Sequence, residues 1–103
     1  MTTWTIKLTD DAQSDFKRLA GRGKALVAKR LINLERDPRI GNPLGKKMGM
    51  DLTGYFKLYA DGRRLRIVYT IEEPVVKVIA IGKREGMEVY KLALQRIQEL
   101  RKD

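Results

Sequence analysis

Neither cysteine nor histidine occurs in this sequence. Without cysteine there are no disulfides and no thiolate metal ligands, a composition that fits a reducing, cytoplasmic setting. Without histidine the chain lacks the commonest metal ligand and the one side chain that titrates unperturbed near neutrality. Zinc-hydrolase chemistry and a histidine general base are therefore both excluded, and no cofactor is called for. Apolar runs are short of the ~18 residues of a membrane span. The opening Met-Thr-Thr-Trp-Thr-Ile-Lys-Leu enters alternation at once, so no export signal is expected. Acidic residues are also few: 13 against 22 lysines and arginines, a net charge of +9 over 103 residues. That excess favours polyanions, whether nucleic acid, an anionic membrane surface or an acidic protein.

What is present reads as one domain over residues 1–103. Trp4 to Leu8 alternates as a first strand, and Thr9-Asp10-Asp11 supplies an N-cap and first-turn acids for a helix with Phe16, Leu19 and Ala20 as its apolar stripe. Gly21-Arg22-Gly23 breaks it, and a second helix spans about Lys24 to Arg36, with Leu26, Leu31, Ile32 and Leu34 inward. Asp37-Pro38 stops that helix. Residues 37–53, rich in Gly, Pro and Lys, read as a loop with room for a short extended piece. Three strands follow, at about Gly54–Tyr59, Arg64–Ile71 and Val75–Ile81, then a helix from about Met87 to Arg101 with Val89, Leu92, Ala93, Leu94, Ile97 and Leu100 as its apolar face. The expected fold is α+β, in the order β-α-α-β-β-β-α, with an antiparallel sheet and helices packed on one face.

Asp61-Gly62 is a strong two-residue hairpin signal. Taken so, Ala60 pairs with Arg63, and Lys57 stands opposite Arg66. One face then carries Phe56, Leu58, Leu65 and Ile67, and the other carries Tyr55, Lys57, Tyr59, Arg64 and Arg66. A like-charge cross-strand pair destabilises a sheet, so it makes sense where an anion belongs between the two cations; a solvated sheet face is the plain alternative. Aromatic and basic groups together suit RNA, since cations grip phosphates and rings stack on unpaired bases. Gly82-Lys83-Arg84, where the last strand leaves the sheet, is expected at the rim of the same face, and Tyr90 lies early in the last helix.

The segments Tyr55-Phe-Lys-Leu-Tyr59, Arg64-Leu-Arg-Ile-Val-Tyr69 and Ala80-Ile-Gly-Lys-Arg-Glu-Gly-Met-Glu-Val-Tyr90 closely resemble RelE-type toxins of the RelE/ParE toxin–antitoxin superfamily. The resemblance covers nearly the whole chain, and its most specific part is the last segment. It implies a microbial-RNase-like fold and a metal-independent endoribonuclease, an mRNA interferase cutting mRNA in the A site of the 30S ribosomal subunit. It also implies an acidic cognate antitoxin as partner, and no membrane. Its catalytic set falls on Lys57, Arg66, Arg84 and Tyr90. The chain departs from the family where Tyr55 replaces a second lysine and where the turn after Tyr59 is about two residues longer. Arg63, Arg64, Lys46, Lys47 and Lys83 can replace the missing charge and, with Tyr55 and Tyr59, make up the expected RNA-binding set.

In that reading Lys57 takes the 2′-OH proton, Arg66 clamps the phosphate, Arg84 relieves charge on the leaving oxygen, and Tyr90 positions or stacks on a base. Two other functions fit the same residues: a ParE-like toxin acting on DNA gyrase, and a non-catalytic RNA- or ribosome-binding module. The first would not require the Lys57–Arg66–Arg84–Tyr90 set; the second would need the same basic face.

Overall fold

The computed structural model describes residues 4–47, 49–83 and 88–101, with the Lys47 side chain left out. In chain order the elements are β1 (Thr5–Leu8), α1 (Asp10–Arg18), α2 (Gly21–Arg36), a 3-10 turn (Pro38–Ile40), β2 (Asn42–Lys47), β3 (Met50–Ala60), β4 (Leu65–Glu72), β5 (Val75–Lys83) and α3 (Glu88–Leu100). The α+β class expected from the sequence is therefore found. Thr9 caps α1 as anticipated, its hydroxyl accepting the Ala12 N–H at 3.1 Å.

Three expectations about the architecture are corrected. The sheet has five strands in the order β1-β5-β4-β3-β2. It is mixed, because β1 runs parallel to β5 while the other neighbours are antiparallel. The Gly/Pro-rich stretch read as loop is partly a strand, β2, paired with a β3 that begins at Met50 and not at Gly54. Its composition is poor in strand formers, but β2 is an edge strand, where Pro43 disturbs no ladder on its outer side and a bulge between Pro43 and Gly45 absorbs the misfit. Finally, the helices do not share one face of the sheet. α1 and α2 cover Leu58, Ala60, Leu65, Ile67 and Tyr69 with Ala12, Val27 and Leu34, whereas α3 covers Leu52, Val68, Ile79 and Ala80 with Val89, Tyr90, Ala93 and Ile97. Both sheet faces are apolar enough to need a cover, and β4, buried on both sides from Leu65 to Tyr69, shows why one layer of helices would not suffice.

The helical faces were partly misjudged as well. Ile32 is 55% exposed and Leu100 49% exposed, while Val27 and Tyr90 are buried.

β1 pairs only residues 75–78 of β5, so the end of β5 would present open backbone groups at the sheet edge. Asp15 and Arg96 close it. Asp15, only 4% exposed, accepts the Ile81 N–H at 3.0 Å. Arg96 of α3 donates to the Ile79 carbonyl at 3.0 Å and to both Asp15 carboxylate oxygens at 2.6 and 3.1 Å. Arg18 adds a bond to Asp15 at 2.7 Å. One carboxylate thus joins α1, α3 and the strand between them. On the α1/α2 face, the buried Tyr69 hydroxyl donates to the Pro38 carbonyl at 2.6 Å and accepts the Gly41 N–H at 3.1 Å, pinning the connection that leads into β2. A Cβ on Gly41 would collide with that hydroxyl and with the Lys57 carbonyl, so glycine is required there.

Asp15→Ala removes the acceptor of the Ile81 N–H and leaves the largely covered Arg96 with only the Ile79 carbonyl and Asp11 at 3.8 Å, and should cost about 3–5 kcal/mol in urea unfolding; a loss below ~1 kcal/mol would show that the clamp is not structural. Burial pushes the Tyr69 phenol up to about 12, with the Gly41 hydrogen bond opposing it and Asp37 adding to it. An unfolded phenol titrates near 10, so between these values the folded state keeps a proton that the unfolded state loses. The stabilisation is complete below about pH 10 and is lost as pH rises towards about 12. Tyr69→Phe should cost about 1–3 kcal/mol at neutral pH and should decline less than the parent across this window, measured as urea midpoints against pH.

Candidate active site

The hairpin joining β3 and β4 fixes the site. Its last pair is Ala60↔Leu65, so the loop has four residues, 61–64, where a two-residue turn was expected. Asp61 and Gly62 both take positive φ, 53° and 66°, and the Arg64 N–H closes the turn on the Asp61 carbonyl at 3.1 Å. The register therefore shifts by two residues: Tyr59 stands opposite Arg66, and Lys57 opposite Val68. Direct opposition of Lys57 and Arg66, the like-charge pair expected from the sequence, is not found; the two are diagonal neighbours. A shift of two leaves every side chain on its own face, because side chains alternate with a period of two. Lys57, Tyr59 and Arg66 consequently share one face, as expected.

Arg66 is 6% exposed. Its Nε has no hydrogen-bond partner, and no carboxylate among the described residues lies within ion-pair distance. Its guanidinium carbon sits over two rings instead, 5.4 Å from the centroid of Tyr59 and 4.8 Å from that of Tyr90. Each contact contributes about 0.5–2 kcal/mol, which offsets only part of the cost of burying a charge that meets no carboxylate among the described residues. Lys57, half-buried, donates from Nζ to the Tyr59 hydroxyl at 3.1 Å and lies 5.0 Å from the Tyr59 ring centroid. Burial pushes the Tyr90 phenol up, while the Arg66 and Lys57 charges and a hydrogen bond with Lys57 pull it down. The result is a compact cationic site walled by aromatic rings, complementary to a phosphate. Gly82 of β5 is the cross-strand partner of Arg66, and a Cβ there would stand 3.3 Å from Val89, so the glycine lets α3 approach and bring Tyr90 onto Arg66.

The remaining expected residues divide. Arg63, exposed in the turn, joins the cluster with its guanidinium 5.7 Å from the Tyr59 centroid. Tyr55 lies on the same face but packs against the α3 core. Tyr90 is 1% exposed and its ring lies against the Arg66 guanidinium. Lys83 pairs with Leu65 and therefore points to the α1/α2 face, where it lines a cleft of about 570 Å³ with Arg18, Asp61 and Arg64. Arg64 and Lys83 are thus apart from Lys57 and Arg66. Lys46 stands across from Asp51, four residues beyond the Asn42–Lys57 pair and roughly 13 Å along the strand. Lys47 pairs with Met50, its side chain outside the described part, and Arg84 lies outside the described residues altogether. Among the described residues no three acidic, histidine or cysteine side chains cluster as metal ligands.

A buried arginine that meets no carboxylate among the described residues is suited to binding an anion more than to stability. Arg66→Met should therefore raise the thermal midpoint, by an amount equivalent to about 1–3 kcal/mol. A lowered midpoint in calorimetry would mean that the aromatic contacts outweigh the desolvation of the charge.

With this geometry in view, comparison with known proteins is informative. Residues 6–87 match the family described as ParE toxin of type II toxin-antitoxin system, parDE. The mRNA interferase toxin RelE of Escherichia coli K12 is 35% identical over 92 residues, 89% of this chain and 95% of that protein. An arginine double mutant of E. coli RelE in the free state superposes with a TM-score of 0.71 at 30% identity, covering 92% of this chain and 98% of the other. The toxin–antitoxin complex RelBE2 of Mycobacterium tuberculosis gives a TM-score of 0.67 at 28% identity, with 82% and 94% covered. On these likenesses the chain belongs to the RelE/ParE superfamily of type II toxins as a RelE-type member.

Proposed function

We propose that the protein is the toxin of a type II toxin–antitoxin pair and acts as a metal-independent endoribonuclease on mRNA in the ribosomal A site. The observation that carries this reading is Arg66, a buried cation held by two tyrosine rings, with no carboxylate partner among the described residues and with Lys57 beside it. A phosphodiester supplies the missing negative charge. E. coli RelE, of which this chain covers 95%, is named an mRNA interferase.

The chemistry follows from the groups present. Lys57, in its neutral form, takes the proton of the RNA 2′-OH. The 2′-oxygen attacks the adjacent phosphorus, and the bond to the 5′-oxygen breaks, leaving a 2′,3′-cyclic phosphate and a 5′-hydroxyl. Arg66 donates hydrogen bonds to the non-bridging oxygens as negative charge builds on them. Arg84 is assigned to the leaving oxygen, which takes its proton from water, since an arginine is too weak an acid to give one. Proton transfer of this kind is less efficient than with a pair tuned to neutral pH. Orientation of the 2′-OH in line with the phosphate must supply much of the rate, and such orientation is worth ~7–11 kcal/mol when well held. The ribosome provides it, and the +9 charge of the chain draws the protein to ribosomal RNA.

In the cell this places the action in the cytoplasm, where the ribosomes are; none of the described helices is long and apolar enough to cross a membrane. The partner is an acidic antitoxin segment that folds against the basic toxin, a pairing with a precedent in the M. tuberculosis complex. The match to a family described as ParE favours one second reading, a gyrase-directed toxin.

Single-turnover cleavage of one defined message, free and in a programmed ribosome, separates these readings. Cleavage should be fast on the ribosome and poor on free RNA. Lys57→Ala should reduce it by about 10²–10⁴-fold with an unchanged thermal midpoint. Equal rates on free and bound RNA would reject ribosome dependence. No cleavage together with inhibited DNA supercoiling would move the assignment to gyrase, and ribosome binding without cleavage would leave a binding module.

A further inference from the structure

We infer that Tyr59 is a positioning residue of this site: its hydroxyl fixes the Lys57 amine and its ring, with that of Tyr90, fixes the Arg66 guanidinium, so that the amine faces the 2′-OH and the guanidinium the adjoining phosphate. The inference rests on the endoribonuclease reading and deepens it.

Two like charges on neighbouring strands repel, and a lysine side chain left to itself keeps several rotamers in solvent. Tyr59 sits where it can suppress both tendencies. It is two residues from Lys57 along the same face of β3 and directly across from Arg66 on β4. Its hydroxyl oxygen accepts from Lys57 Nζ at 3.1 Å. Its ring is approached by three cations, Lys57 at 5.0 Å, Arg66 at 5.4 Å and Arg63 at 5.7 Å. The negative face of an aromatic ring attracts each cation without neutralising it, so the charges are brought together and remain available to an anion. The tyrosine itself is anchored from the far side of the sheet, where Arg30 of α2 donates to its backbone carbonyl at 3.0 Å.

The chemical consequence concerns the lone pair. With the Lys57 amine engaged by the Tyr59 oxygen and also by the Tyr90 hydroxyl, its remaining directions are constrained, and the lone pair that must meet the 2′-OH is aimed away from both tyrosines. Tyr59 neither takes nor gives a proton in this scheme. The charged and titratable groups around it are Lys57 on its own strand, Arg66 on β4, Tyr90 on α3 and Arg63 in the turn. Removing the hydroxyl therefore acts on positioning and leaves the charge of the site unchanged.

The test compares Tyr59→Phe, which keeps the ring and deletes the hydroxyl, with Tyr59→Leu, which deletes both. In ribosome-dependent cleavage Tyr59→Phe should lower kcat about 10- to 100-fold, the worth of a hydrogen bond to a charged group, with KM within about twofold. Tyr59→Leu should lower kcat further and raise KM, because Arg66 loses a ring. A second readout needs no cleavage: the NMR order parameter of the Lys57 Cε should be high in the parent and fall in Tyr59→Phe. Wild-type kcat in a folded Tyr59→Phe chain, or a change confined to KM, would overturn the inference and leave Tyr59 as a passive wall or an RNA contact. Should the parent cut no RNA at all, the endoribonuclease reading fails, and the order parameter alone decides whether Tyr59 holds Lys57. Equal disorder in parent and variant would reject it.

Discussion

The carboxylate of Asp15 closes the sheet edge beside the candidate site and holds α3 against it. β1 is too short to cover β5, and the uncovered half of β5 is the stretch that leads to Gly82 and the segment before α3. Asp15 reaches that edge from α1 and Arg96 reaches it from α3, so a single ion pair satisfies the strand's backbone and ties together two helices that lie on opposite faces of the sheet. Buried charges are costly unless paired and fully hydrogen-bonded, and this pair is both. Because α3 is held there, its first turn is held too, and Tyr90 comes to rest on Arg66.

The contrast between the buried Arg66 and the partly buried Arg96 explains the division of labour in the molecule. Arg96 meets a carboxylate and has the character of a structural cation. Arg66 meets aromatic rings and has no carboxylate partner among the described residues. Ring faces hold a guanidinium in place but do not discharge it. The site therefore keeps positive potential under a covered surface, where a phosphate oxygen interacts more strongly than it would in water. In the proposed reaction, a chain without histidine, cysteine or a metal cluster among its described residues would stabilise a phosphorane in this way, since the demand is for fixed charge more than for a neutral-pH proton carrier.

Much of this was legible beforehand. The Thr9 cap, the two helices, the three-strand meander and the last helix each have a local cause in periodicity, capping or turn residues, and each is found near its expected place. The face shared by Lys57, Tyr59 and Arg66 was legible for a sturdier reason, since parity along a strand survives a register error of two. What misled was also local. Asp61-Gly62 is a two-residue hairpin signal, yet here both residues adopt left-handed conformations inside a four-residue loop. The stretch around Pro43 and Gly45 reads as loop because strand propensity is largely a statement about packing, and an edge strand has little of it.

Composition, alternation and the placement of charged residues by themselves determined that this protein is an α+β chain with a basic, tyrosine-bearing face and no histidine or thiol chemistry. Only the tertiary structure decided that Lys57 and Arg66 are diagonal, that Tyr59 stands between them, that Arg64 and Lys83 line a different cleft, and that α3 crosses the face opposite α1 and α2. The physical reason is one of range. Faces and elements follow from steric and periodic rules acting over a few neighbouring residues, whereas register, sheet order and the side on which a helix lies depend on contacts between distant segments. Here the decisive ones are the Asp15–Arg96 bridge and the seat of Val89 against Gly82.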